Sequence, residues 1–80
     1  MDQAVARLLA KTAFRAAKEM TELLPLLKAH LEADAYRERA RAIADAVHGI
    51  NRALLDPALA AHPDLDAEIS ASIEKYDRFI

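Results

Sequence analysis

Apolar side chains recur at alternating spacings of four and three residues through most of this 80-residue chain. Such heptad spacing is typical of an α-helix that packs one face against another helix. The first seam consists of Ala6, Ala10, Ala13, Ala17, Met20, Leu24, Leu27 and Leu31. The second seam consists of Tyr36, Ala40, Ile43, Val47, Ile50 and Leu54. No alternating run or Asn-Gly turn indicates a strand, so the pattern predicts an all-α helical bundle.

Capping residues and prolines predict where the first two helices begin and end. Asp2 is a good N-cap for a first helix over residues 3–32. Pro25 lacks the N–H that a helix interior needs, and no turn-forming residue adjoins it, so we expect a kink there. Asp34 is a credible N-cap for a second helix over residues 35–55. A break at Pro25 or one unbroken helix also fits the spacing of the seams.

The last part of the chain combines one loop with one shorter helix. Pro57 and Pro63 disfavour helical conformation in the residues before them, which predicts a loop over residues 56–63. Asp64 is then the expected N-cap of a third helix over residues 64–79. Its apolar face consists of Leu65, Ile69, Ile73, Tyr76 and Ile80.

Three main helices of these lengths cannot cover one another completely. We interpret residues 1–80 as a single helical domain, and a domain of this size is marginally stable alone. The third helix rises roughly 24 Å, whereas the first two rise roughly 30–45 Å. Some apolar surface should therefore remain exposed, and we expect a homodimer to complete the bundle.

The only glycine of the chain, Gly49, lies inside the second helix, where it costs roughly 0.5–1 kcal/mol relative to alanine. It belongs to a small-residue stripe beside the larger seam residues: Ala42, Ala46, Gly49 and Ala53. Small side chains let another helix approach closely. We therefore predict a helix-packing interface formed by the stripe and its neighbours Ile43, Val47, Ile50 and Leu54. The alternative is that Gly49 is a tolerated defect or a local kink.

The segment HGINRALL, which begins at His48, suggests one chemical role. It resembles the H-box of histidine-kinase dimerisation domains at His48, Ile50 and Asn51, and it departs from that family at Gly49, where an acidic residue is usual. The resemblance implies a phosphoacceptor role for His48 on a four-helix bundle. An ordinary solvated histidine is the alternative interpretation.

Other signs of catalytic or metal chemistry are weak. Asp45 and His48 have the three-residue spacing of a bundle metal motif, as do Glu19 and Glu22. However, Asp45 and His48 fall on the polar side of the second helix, away from the predicted core. The chain has no cysteine and no phosphate-binding glycine loop. We therefore expect neither an enzyme nor a bound metal or other cofactor.

A basic stripe on the first helix, with spacings of four, four and three residues, consists of Arg7, Lys11, Arg15 and Lys18. Its simplest interpretation is a solvated face. Because the third helix is acidic, that helix of the same or a second copy is another candidate partner, as is a helix of another protein. The net charge of −2 argues against nucleic-acid binding.

These features together predict a small non-enzymatic interaction or regulatory module that self-associates through apolar helix faces. The alternatives are a phosphoacceptor bundle that uses His48 and a DNA-associated accessory protein that uses the basic stripe. The apolar runs are too short for a membrane span, and the N-terminal segment has charges at every turn, unlike a secretory signal. We therefore expect a cytoplasmic protein that does not associate with membranes.

Overall fold

The computed structural model describes residues 1–77 and residue 79. Its helices are α1 (Gln3–Thr21), α2 (Leu23–His30), α3 (Ala33–Ile50), a π-helical turn (Asn51–Leu55), α4 (Asp56–Ala61) and α5 (Leu65–Tyr76). They form three main helical runs, over residues 3–30, 33–61 and 65–76. Within the described residues there is no strand, which confirms the predicted all-α fold.

The first helical run is kinked close to the predicted position. The Asp2 side chain caps α1 by accepting a hydrogen bond of 3.2 Å from the backbone N–H of Ala4. The regular helix is interrupted at Glu22, which keeps right-handed backbone angles, and it resumes as α2. Pro25 cannot donate to the carbonyl of Thr21, four residues earlier. The chain therefore bends at this point without reversing its direction.

The chain turns between α2 and α3, slightly earlier than the sequence suggests. Leu31 and Glu32 are extended, so the first run ends at His30, and α3 begins at Ala33. Asp34 consequently lies in the first turn of α3, and its prediction as the N-cap was wrong. Its carboxylate remains at the end of the helix where the helix dipole favours negative charge.

The second helical run continues through Pro57, so the predicted loop over residues 56–63 was wrong. Helix α4 has Pro57 in its first turn, where a missing N–H is well tolerated. The run ends at Ala61, and its C-cap His62 directly precedes Pro63, which has no N–H to continue the helix. The connection to α5 therefore contains only residues 62–64.

The π-helical turn explains how the second run keeps its apolar face on α1. The backbone N–H of Asp56 donates to the carbonyl of Asn51, five residues earlier, and such a turn inserts one residue into the helical register. Without this insertion, the seam would continue from Leu54 to Pro57, which is exposed. With the insertion it reaches Ala58, which is fully buried.

Helix α5 differs from the predicted helix at both ends. Asp64 occupies the N-cap position but makes no capping hydrogen bond with its side chain. The helix ends at Tyr76, because Asp77 adopts a left-handed conformation (φ 59°) and donates its backbone N–H to the carbonyl of Ile73. Ile80, predicted on the apolar face, lies outside the described residues.

Helix α5 lies beside α1 and runs in the same direction. Side-chain hydrogen bonds join three pairs of residues that are 61 positions apart in the sequence. They are His62 to the carbonyl of Met1, Gln3 to Asp64, and Arg7 to Glu68. Because the sequence separation is the same for each pair, residue numbers increase in the same direction along both helices. The two helices are therefore parallel.

The buried core lies where α1, α4 and α5 meet. Its members are Ala6, Ala10, Ala58, Leu65, Ile69 and Phe79. Leu65 is the largest fully buried side chain of the described residues. Because alanines form so much of this core, the helices can approach closely but bury little apolar area per residue.

The molecule is flattened and elongated, with dimensions of 45 × 25 × 14 Å. Its radius of gyration is 14.6 Å, compared with about 12 Å for a compact domain of this length. Its accessible surface is 5636 Å², compared with about 4,800 Å² for a compact monomer of this mass. The fold therefore leaves roughly 850 Å² more surface exposed than a compact monomer would.

Candidate interaction surfaces

The large seam residues of α3 and the π-helical turn are only partly covered by the rest of the chain. Helix α3 packs against α1 and α2, yet neither it nor the π-helical turn contains a fully buried residue. The predicted interface residues Ile43, Val47, Ile50 and Leu54 are all half-buried. These side chains therefore retain apolar surface that the chain itself does not cover.

The small-residue stripe has no neighbouring helix within the described part of the chain. Ala42, Ala46 and Ala53 are exposed, and Gly49 is half-buried. A Cβ atom placed on Gly49 would have no atom of another segment within 4 Å. The expectation that Gly49 receives a helix is thus wrong for the chain's own helices. A contact with a second chain stays a prediction.

A cavity of about 350 Å³ lies between α3 and the junction of α1 with α2. Thr21, His48 and Asn51 contribute the polar part of its lining. The remaining lining residues are Leu24, Ala40, Ile43, Ala44 and Val47. This cavity lies beside the interruption of the first helical run, because Thr21 and Leu24 flank that interruption.

His48 is exposed in the last turn of α3. Asn51, the other polar residue of the H-box resemblance, lines the same cavity. Solvent access is what a phosphoacceptor histidine requires. Asp45, which shares a metal-like spacing with His48, is also exposed, and the described residues contain no group of three potential metal ligands.

Members of the basic stripe differ in the contacts that they make. Arg7 binds Glu68 of α5 with two hydrogen bonds, of 2.9 and 3.1 Å. Hydrogen bonding to this carboxylate raises the pKa of the Arg7 guanidinium. The ammonium of Lys11 lies 5.5 Å from the centre of the Phe79 ring. Among the described residues, the acidic third helix thus forms an ion pair with the stripe at its first member, Arg7.

A groove of about 730 Å³ lies beyond the end of α5, along the second half of α1. Its basic lining residues are Lys11, Arg15 and Lys18, all members of the stripe. Its apolar lining residues are Phe14, Ala17, Ile73 and Phe79. Its remaining lining residues are Glu19, Thr21, Glu22 and Asp77. We call this feature the α1 groove.

Sequence reasoning missed the contribution of Phe79 to the α1 groove. Its ring packs edge-to-face against Phe14, with the ring centroids 6.2 Å apart. The left-handed turn at Asp77 precedes this contact. Asp77 is not a glycine, the usual signal for such a turn, so no neighbouring residue indicated the turn in advance.

The chain matches no protein-family model, no curated protein and no solved structure. Among residues 1–77 and 79, every helix falls short of the length and apolar character that a bilayer-spanning segment needs. Three surfaces are therefore candidates for a function: the cavity at His48, the α1 groove, and the α3 face, which consists of the small-residue stripe with Ile43, Val47, Ile50 and Leu54.

Proposed function

We propose that this chain is a small non-enzymatic interaction module that self-associates through the open face of α3. The observation that carries the proposal is the empty space next to Gly49, within an exposed small-residue stripe. A glycine that lowers helix stability is retained more readily where a second backbone approaches it. No segment in the described part of this chain makes that approach.

The amount of exposed surface supports an interface of standard size with a second chain. The excess of roughly 850 Å² over a compact monomer is close to the about 800 Å² that each partner loses in a standard protein interface. Exposed large side chains add to this argument, since Leu23 and Leu26 of α2 are 46% and 55% exposed. A second copy would therefore restore the burial that a compact fold normally reaches.

Charge favours an antiparallel pairing of two copies. Gly49 lies close to the middle of the helical run over residues 33–61. Asp45 precedes it by four residues, and Arg52 follows it by three; both are exposed. A two-fold axis near Gly49 would bring Asp45 of one copy near Arg52 of the other. A parallel pairing would instead place like charges together.

Sedimentation velocity at micromolar concentration tests the proposal. We expect a species of about twice the 8.8 kDa chain mass. Ala46→Glu, which places a charge on the stripe, should shift this species toward monomer. Ala71→Glu is the matched control, since Ala71 is an exposed alanine of α5. A wild-type monomer, or equal effects of the two variants, would contradict self-association through α3.

A phosphoacceptor role for His48 is the second candidate, because His48 is exposed and shares a cavity with Asn51. Incubation with phosphoramidate should then label the wild-type protein but not His48→Gln. Labelling that is unchanged in His48→Gln would exclude this role. A DNA-associated role has weaker support, since Arg7 is already paired with Glu68.

A further inference from the structure

The cavity between α3 and the junction of α1 with α2 is large enough for a small molecule. Its volume is about 350 Å³, and small-ligand sites in proteins begin at about 300 Å³. A cavity of roughly 150 Å³ already holds one benzene ring, so this one has room for two fused rings. Two lining positions on α3 are alanines, Ala40 and Ala44, which leave the space unfilled.

Polar and apolar residues line different ends of this cavity. The first two helical runs are antiparallel, because α2 packs on α3 whereas the start of α1 shares a core with α4. Thr21 precedes Leu24 in the first run, and His48 and Asn51 are the last lining residues of the second run. The three polar groups therefore converge on the end of the cavity nearer α4, and apolar side chains line the rest.

The polar end offers hydrogen-bonding groups without an acidic or strongly basic side chain. The Thr21 hydroxyl donates to the carbonyl of Lys18 over 3.1 Å, so its oxygen can still accept. Neither the side-chain amide of Asn51 nor the His48 imidazole is hydrogen-bonded to another residue of the described ranges. The described residues that line the cavity include no Asp, Glu, Lys or Arg. A ligand hydroxyl, which both donates and accepts, matches this set, whereas a carboxylate would meet no lysine or arginine.

We propose that the cavity binds a small uncharged amphiphile, with an apolar body of up to two fused rings and a hydroxyl head. The body lies against the apolar lining of α2 and α3, and the hydroxyl hydrogen-bonds with Thr21 and Asn51. The π-helical turn that begins at Asn51 supports this position, since such turns are frequent at functional sites. Binding requires neither a second copy of the chain nor phosphorylation of His48.

Two probes that share one ring system test the proposal: 2-naphthol and 2-naphthoate. Each is titrated into the ¹⁵N-labelled full chain near neutral pH and followed by NMR. We expect 2-naphthol to shift the amides of residues 21–24 and 40–51, and to bind at least about tenfold more tightly than the carboxylate, which has no cation to replace its hydration. Equal binding of the two probes, no binding of 2-naphthol, or shifts confined to residues 11–18 and 73–79 would overturn the proposal.

A variant that fills the cavity tests the location of the ligand. Ala44→Leu places a larger side chain in the space and should weaken 2-naphthol binding at least about tenfold. Ala71→Leu is the matched control, because Ala71 is an exposed alanine of α5, and it should bind as the wild type does. Undiminished binding by Ala44→Leu, or equal weakening by both variants, would place the ligand elsewhere and overturn the proposal.

A variant of the polar end tests recognition of the hydroxyl. Asn51→Leu removes the amide but keeps a side chain of similar size, so it should weaken 2-naphthol binding about tenfold. Naphthalene, which has no head group, should bind this variant as it binds the wild type. Unchanged 2-naphthol binding would show that the hydroxyl is not recognised, and equal losses for both compounds would show that the variant only distorts the cavity. Either result would overturn the proposal.

Self-association needs a separate control, because Ile43 and Val47 belong to both the cavity and the α3 face. Ala46→Glu, the variant designed to favour the monomer, should bind 2-naphthol with wild-type affinity. Binding by Ala46→Glu alone would mean that a second copy covers the cavity in the wild type, which would overturn this proposal while supporting self-association. A wild-type monomer that binds 2-naphthol would do the reverse, so the two proposals fail in different measurements.

Discussion

The two ends of this molecule use similar sequence patterns but reach different degrees of burial. At one end, α1, α4 and α5 enclose fully buried alanines together with Leu65. At the other end, neither α2 nor α3 contains a fully buried residue. Both ends have heptad seams with many alanines, so the seam alone does not determine burial.

The difference lies in how many helices surround each seam. Ala6 and Ala10 of α1 share one buried core with residues of both α4 and α5. The seam of α3 has only the kinked first run, which leaves a cavity of about 350 Å³. A heptad pattern thus predicts which face of a helix is adapted for packing. It does not predict whether the partner belongs to the same chain.

The largest contrast between the two ends should come from truncating leucines. Leu65→Ala removes the largest fully buried side chain in the described residues, and it should lower the free energy of unfolding by about 2–5 kcal/mol. Leu26→Ala is the control, because Leu26 is 55% exposed; it should change that free energy by less than about 0.5 kcal/mol. Urea denaturation of dilute protein measures both.

A milder variant keeps this comparison measurable if Leu65→Ala fails to fold. Ile69 is 5% exposed, and Ile69→Val should cost about 0.5–1.5 kcal/mol. If the Leu26 variant lost as much stability as the Leu65 or Ile69 variant, the open end would be as well packed as the core. The two ends would then not differ in how well they are packed.

A second contrast should come from enlarging alanines. Ala10 is fully buried, so Ala10→Leu should overpack the contact between α1 and its neighbours and cost about 1–3 kcal/mol. Ala44 is exposed beside the cavity, so Ala44→Leu has room and should not lower stability. Thermal melts compare the two, and a large loss in Ala44→Leu would show that this region is already filled.

The smallest expected effect concerns Gly49. In dilute monomer, Gly49→Ala should raise the free energy of unfolding by about 0.5–1 kcal/mol, because the added methyl group improves helix propensity and meets no neighbour. Gly49→Leu should leave monomer stability intact but shift self-association toward monomer. The test is denaturation at several protein concentrations beside sedimentation. Destabilisation of Gly49→Ala at every concentration would reveal a contact within the chain.

Features that depend on neighbouring residues were predictable from the sequence. The kink follows from the missing N–H of Pro25, and the first N-cap follows from the side chain of Asp2. The acidic character of the third helix indicated one partner for the basic stripe, and Arg7 does bind Glu68. Each of these rests on backbone chemistry or on charge.

Features that depend on distant residues were not predictable. Asp64 was expected to cap its own helix, but its carboxylate accepts a hydrogen bond from Gln3, 61 residues away. Pro57 was expected to end a helix, but the widened turn before it carries the run on to Ala58, which packs on α1. Local sequence propensity does not include such tertiary contacts, because the stabilising partner residue lies in another part of the chain.

The parallel alignment of α5 with α1 has a consequence for how the chain folds. Its hydrogen bonds join residues separated by 61 positions, so closing this loop costs roughly 3.5 kcal/mol of chain entropy plus a constant. Helices α1 and α3 can form from local contacts long before that closure. During synthesis, the α1–α5 contact must wait until α5 has left the ribosome. The best-packed end of the molecule is therefore expected to consolidate last, as a slow step that sets the overall rate of folding.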